Sequence, residues 1–273
     1  MNIIGVDLGT SATKIVQCDE NGDLINTMFL TEKSFSKAFD KFISSFNINI
    51  ERIDKIILTG VGSSRISETK LYNIDIVKID EFIGIAEGAK ALVKKDSIII
   101  SSIGTGTAFI RADGNNISHI GGSGIGGGTL INLCKKFLNL HSFEEIVNLS
   151  SSGNLYNVDL SIGDITSSEI KTLPKDITAA NFAKLNNNAT DSDIALGIIN
   201  MIFETVGMLA VFATKNDSIK EVVAIGGLTK IPHIHIVFDK IEKFCDIKFT
   251  IPNNAEFATC FGVVQHYLKL NEK

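Results

Sequence analysis

The chain opens with an alternation of apolar runs and turns that reads as strands. Ile3-Ile4-Gly5-Val6 is an apolar run ending at Asp7. Gly9-Thr10-Ser11 supplies a tight turn, and Thr13-Lys14-Ile15-Val16-Gln17 returns. Strands are therefore predicted at 2–8, 12–18 and 24–30, with Asp19-Glu20-Asn21-Gly22-Asp23 as the turn between the last two. Over 33–47, Phe35, Phe39, Phe42, Ile43 and Phe46 recur at helical spacing, which predicts an amphipathic helix with a core-facing aromatic stripe. Residues 55–62 read as a buried strand opening into a glycine turn, 74–79 as a short strand and 81–95 as a helix. The first half thus reads β-β-β-α-β-α-β-α, an α/β unit.

The pattern then starts again. Residues 97–107 (SIIISSIGTGT) form an apolar strand with a Gly-Thr turn, 108–111 return, and Asp113-Gly114-Asn115-Asn116 turns once more. Val222–Leu228 echoes the strand-glycine pattern of 56–62. Two halves that begin alike suggest a duplication, with domains at 1–95 and 96–273 and one nucleotide's phosphates clamped between the two turns. The remaining elements are a glycine loop at 121–128 leading into a helix from Thr129, and a helix from about 178, capped by Thr178 or Asp176, after the loop 173–175. A long helix at 192–216, apolar on most sides, and a closing helix at 256–269, in which Gly262 permits close approach, complete the chain.

Composition narrows the class. With 273 residues, 44% of them hydrophobic, the chain can bury two domains. A net charge of −5 without a basic stripe argues against a nucleic-acid partner. No uninterrupted apolar run reaches about 18 residues, so no membrane span is expected. The first residues enter a strand with no basic stretch or cleavage site, so no signal peptide is expected either. Cys18, Cys134, Cys245 and Cys260 are scattered without metal-ligand spacing, as for reduced thiols of a cytoplasmic protein.

Several positions carry candidate chemistry. Asp7 at a strand end can hold Mg²⁺ and its waters, while Gly9 and Thr10 offer amides and a hydroxyl to phosphate. Asp7 can equally be a turn-forming residue. Lys14 alternates onto the same face. Ser101, Gly104, Thr105, Gly106 and Thr107 offer a second such turn, where glycines would allow close approach of an anion and hydroxyls would donate, or a hairpin turn with no ligand. Gly126, Gly127 and Gly128, with Gly121 and Gly122 before them, feed a helix N-terminus suited to an anion, either a phosphate or a carboxylate. Glu81 is the candidate general base beside a helix cap at Asp80, although an acid there also stabilises a helix start without catalysis.

Asp-x-Gly-Thr at 7–10, Gly-Thr-Gly-Thr at 104–107 and Gly-Gly-Leu at 226–228 resemble the three nucleotide motifs of the actin-like ATPases. Asp80-Glu81-Phe82, GGSGIGGGT at 121–129, DITAANFAK at 176–184 and EFATCFGVV at 256–264 narrow the resemblance to type II (eukaryotic-like) pantothenate kinases. The resemblance covers essentially the whole chain. It implies a two-domain actin-like (ribonuclease H-like) α/β fold, with duplicated β-β-β-α-β-α-β-α halves and an interdomain nucleotide cleft. It further implies ATP and Mg²⁺ as cofactors, pantothenate as substrate, Glu81 as base, and a homodimer. Gly226 and Gly227 would then lie along the adenosine. His119, at a position often Arg in the family, would face the substrate carboxylate, and Asn181 is a candidate ligand contact. Two alternatives stay open: a kinase of the same fold for a sugar or amino sugar, and a non-catalytic nucleotide-binding regulator. Radical-dehydratase activators share the fold but hold an iron–sulfur cluster with closely placed cysteines.

Overall fold

The computed structural model describes residues 2–166 and 174–271; Leu173 of the expected loop lies outside them. The first three strands stand where the alternation predicts: β1 (Ile3–Leu8), β2 (Thr13–Cys18) and β3 (Leu24–Leu30). Helix α1 (Phe35–Ser45) buries Phe35, Phe39, Phe42 and Ile43. Then come β4 (Lys55–Thr59), β5 (Lys70–Leu71), β6 (Ile74–Lys78) and α2 (Glu81–Val93). The helix that the repeat pattern expects between β4 and β6 is replaced by a short 3₁₀ turn, Val61–Arg65, and β5. The stretch Val61-Gly62-Ser63-Ser64 holds poor helix formers.

The second half repeats the order with β7 (Ser97–Ile103), β8 (Thr107–Asp113) and β9 (Asn116–Ser123), followed by α3 (Gly127–Leu138), α4 (Phe143–Ser150), β10 (Leu160–Ser161), α5 (Ile162–Ile165) and β11 (Thr178–Ala180). It ends with α6 (Asp191–Thr214), β12 (Glu221–Ile225), α7 (His233–Glu242), β13 (Lys248–Thr250) and α8 (Ala258–Asn271). One sheet runs β3-β2-β1-β4-β6-β5 and the other β13-β12-β7-β8-β9. In each, an antiparallel three-strand meander is joined by a parallel strand beside its first member, β4 on β1 and β12 on β7. The duplication read from the sequence is thus present in the strand order.

The layers follow from strand alternation. Ile4, Val6, Leu8, Ile56 and Leu58 pack on α1, while Ile3, Val16 and Ile57 face α8. In the second sheet Ile98, Ile100 and Ile110 pack on α2, and Ile99, Ile103 and Phe109 on α3, α6 and α7. Between the sheets α2 and α8 cross at glycine: a Cβ on Gly262 would strike the Gly84 carbonyl, and one on Gly88 the Ala258 carbonyl. The expected role of Gly262 is met.

Segment 176–184 departs from expectation. Residues 178–180 are a strand paired to β10, not a helix start. Phe182 adopts a left-handed conformation (φ 59°) and its N–H goes to Asp159, so no helix continues there. Helix α6 is long and apolar enough to cross a membrane by length and composition, which counting uninterrupted runs did not reveal. It packs against α3, α4 and α7, with Ile198, Ile202, Phe203 and Val206 in the core.

Candidate active site

The site lies where β1 ends. Asp7 is buried, and Lys14 stands opposite it on β2 with its Nζ 3.4 Å from Asp7 Oδ2. Thr59 is the parallel neighbour of Asp7 on β4; its hydroxyl is buried and has no hydrogen-bond partner among the described residues. Glu81 is the first residue of α2, and Asp80 before it caps the helix by accepting from the Phe82 and Ile83 N–H groups at 2.8 and 3.3 Å. The two acids therefore differ in use. Burial pushes the Glu81 carboxyl above its ordinary range, helped by the negative charges of Asp7 and Asp80; Lys14 and an N–H donated by Val61 pull the other way. Asp7, Lys14 and Glu81 thus share one electrostatic neighbourhood.

The second hairpin meets the first directly. The Ser11 and Thr105 hydroxyls lie 3.0 Å apart across 94 residues of sequence. Gly104, Thr105 and Gly106 form the tip between β7 and β8. Ser101 and Thr107 sit behind it. Ser101 is fully buried, with a hydroxyl that has no partner among the described residues, and the Thr107 hydroxyl donates to the Ile125 carbonyl at 2.8 Å.

The glycine segment also differs from expectation. Gly121 and Gly122 close strand β9 rather than lying in a loop. The Gly127 and Gly128 N–H groups donate to the Gly104 and Thr105 carbonyls, both at 2.8 Å, and the Gly126 N–H reaches the Thr129 hydroxyl at 3.3 Å. A Cβ on Gly126 would lie 2.8 Å from the Gly106 backbone. These glycines fasten the second turn to the start of α3 instead of offering three amides to an anion.

Gly226 follows β12 at φ 103°, and a Cβ there would strike the Ile103 carbonyl, whereas the Cβ position of Gly227 is open. His119 is brought to the Glu81 end of α2. Its ring stacks on Phe82 at 4.9 Å between centroids and 16° between planes. Gly122 lies beside this ring, with its Cβ position 3.7 Å from His119 Nε2, and the Cβ position of Gly121 is open. Asn181 is held elsewhere: it donates to Glu204 on α6 at 2.9 Å, and the Thr178 hydroxyl donates to the same carboxylate. Reasoning from sequence missed Ser11, Thr59 and Phe82.

Among the described residues no group of three or more His, Cys, Asp or Glu can hold a metal. Asp7 is the one carboxylate at the turn, and one carboxylate with waters and phosphate oxygens is a coordination that Mg²⁺ accepts. The orphaned Thr59 hydroxyl beside it suits such a water, so the residues fit that ion. Burial pushes the thiols of Cys18 and Cys134 up, to about 12 and about 11, and Cys260 is fully buried; these three are not poised as thiolate ligands.

The chain is similar to several known proteins. A type II pantothenate kinase from Bacillus thuringiensis subsp. konkukian is 28% identical over 241 residues, 85% of each chain. One from Staphylococcus epidermidis is 28% identical over 232 residues, 82% of this chain and 84% of the relative. Among solved structures, an activator of the 2-hydroxyisocaproyl-CoA dehydratase from Clostridium difficile, with bound ADPNP, superposes with TM-score 0.72 at 20% identity, covering all of this chain and 96% of its own. That likeness shows the shared actin-like ATPase fold. The family model described as Fumble matches residues 97–243, more than half of the sequence, and the chain belongs to the Fumble family.

Proposed function

We propose that the protein is an ATP-dependent kinase that phosphorylates pantothenate to 4′-phosphopantothenate, the first step of coenzyme A synthesis. The observation that carries this reading is Glu81: a half-buried carboxylate with a raised pKa, beside Asp7 and Lys14, at the meeting of two phosphate-type hairpins. Its deprotonated form accepts the proton of the primary hydroxyl as that oxygen bonds to the γ-phosphorus and the bridging oxygen leaves with ADP. Gly9, Thr10 and the Gly104–Gly106 tip cradle the phosphates, and Lys14 offsets charge on the transferring group. Asp7 would hold Mg²⁺ through its waters, and the bound ion would neutralise phosphate charge. Gly226 and Gly227 lie along the adenosine. His119, stacked on the residue next to the base, donates to the substrate carboxylate beside Gly121 and Gly122. Asn181 acts through Glu204 rather than on a ligand.

In this reading ATP lies between domains 1–95 and 96–273, and the protein works in the cytoplasm as a homodimer joined along α6, without nucleic-acid or membrane partners. The names of the relatives supply the substrate. The test is ADP release with ATP and Mg²⁺ over a panel of pantothenate, glucose and glucosamine, with the product identified by mass. Turnover with pantothenate alone is the expected result. Preference for a sugar would replace the substrate, and nucleotide binding without turnover on any alcohol would favour a regulator.

A further inference from the structure

We propose that Thr59 is a further positioning residue of the site: its hydroxyl accepts a hydrogen bond from a water ligand of the ion that Asp7 would hold. The inference rests on the kinase reading above, and within it on Mg²⁺ at Asp7. In the first sheet β1 lies between β2 and β4, and the register sets Lys14 and Thr59 directly beside Asp7, one on each side. Alternation puts all three on one face. Val16 and Ile57, two residues from Lys14 and Thr59, pack on α8, and a Cβ on Gly5, two residues before Asp7, would strike the Cys260 carbonyl of that helix. Lys14 approaches the Asp7 carboxylate at Oδ2, 3.4 Å away. Oδ1 is turned towards the end of β4, 2.5 Å from where a Cβ on residue 60 would stand. Thr59 therefore flanks the carboxylate on the side away from Lys14.

Thr59 is fully buried, and its Oγ1 has no hydrogen-bond partner among the described residues. A buried hydroxyl left in that state destabilises a fold unless a water or ligand satisfies it. The second half shows that the fold itself does not require a hydroxyl at this place. Gly60 and Gly226 both follow a parallel strand at positive φ, 84° and 103°. The residue before each pairs with the end of the neighbouring strand: Thr59 with Asp7, and Ile225 with Ser102. Beside the acid the position carries a hydroxyl, and beside the serine it carries a fully buried isoleucine. A water bound to a divalent cation directs both hydrogens outward and needs two acceptors. Asp7 supplies one, and the Thr59 oxygen supplies the other, which fixes how that water is turned.

Thr59→Val keeps the shape and removes the hydroxyl, whereas Thr59→Ser keeps the hydroxyl. Thermal unfolding of the full chain, first without ligands and then with ADP over a Mg²⁺ titration, reads both consequences. Without ligands Thr59→Val should melt at or above the wild-type temperature, because a buried orphan has been replaced by a methyl group. With ADP, the Mg²⁺ concentration giving half of the added shift should rise about tenfold in Thr59→Val and stay within about twofold of wild type in Thr59→Ser. A folded Thr59→Val with the wild-type Mg²⁺ midpoint overturns the inference. So does a Thr59→Val that fails to fold or melts well below the wild type, since the hydroxyl then serves the fold. A Thr59→Ser that shares the Thr59→Val midpoint overturns it as well. A wild type whose ADP shift is indifferent to Mg²⁺ removes the ion from Asp7, and with it the reading on which the inference rests. Pantothenate takes no part in these titrations, so the substrate assignment stands or falls by its own test.

Discussion

Asp80 and Glu81 are neighbours in sequence with separate uses. Asp80 spends its carboxylate on two helix N–H groups, which leaves Glu81 free to face Asp7 and Lys14. Because burial raises the Glu81 pKa above 4.5, its charged, proton-accepting form is lost as pH falls through that raised value. The acid limb of kcat against pH should therefore lie above the ordinary carboxylate range, and a limb at or below it would contradict the assignment. His119 stacks on Phe82, next to Glu81. His119→Ala should raise KM for pantothenate about tenfold with kcat nearly unchanged, and His119→Arg should lower it through a charge-assisted bond; equal KM values in all three would remove His119 from the site. These residues were legible because motif and spacing are local. Ser11 was not, since the hydroxyl it meets, that of Thr105, lies 94 residues away.

At the scale of elements, strands were read well where alternation and turn residues agree, as in β1–β3. Segment 176–184 was misread because Ala179, Ala180 and Phe182 mimic a helix face. What decides its shape is remote: Asp159 takes the Phe182 N–H and Glu204 takes Thr178 and Asn181. The glycines at 126–128 promised an anion site, but carbonyls of a hairpin some 20 residues earlier use their amides. Helix α6 is started by Thr190 and Asp193, and Asp193 also accepts from Asn154 and Asn157. Burial works against its charge, yet these hydrogen bonds hold its pKa down at about 2. A depressed pKa contributes stability that is full above the unfolded value near 3.9 and is lost as pH falls towards about 2. Asp193→Ala should cost about 2 kcal/mol at neutral pH, read from urea unfolding, because a buried acceptor of several hydrogen bonds to a helix start is removed; a change below about 0.5 kcal/mol would show the network to be incidental.

For the whole molecule the central feature is the crossing of α2 and α8 between the sheets. Gly84, Gly88 and Gly262 let the backbones touch, so α2, packed on the second sheet, presents Glu81 to the first. Gly262→Ala should destabilise the fold by about 3 kcal/mol, since the new Cβ meets backbone rather than a movable side chain; an unchanged unfolding midpoint would contradict this packing. The sequence suggested the close approach of Gly262 but not its partners, which lie some 175 residues away. Association is read at this scale too: light scattering at micromolar concentration should give twice the mass of one chain, and a monomer would remove α6 from an interface.

The most direct test of the central claim is pantothenate-dependent ADP release by the wild type and by Glu81→Gln, with ATP binding measured in parallel. The account predicts turnover that requires pantothenate and falls at least a hundredfold in Glu81→Gln while ATP remains bound. Turnover undiminished in the variant would contradict Glu81 as the base, and wild-type protein that binds ATP without turning over pantothenate would contradict the function.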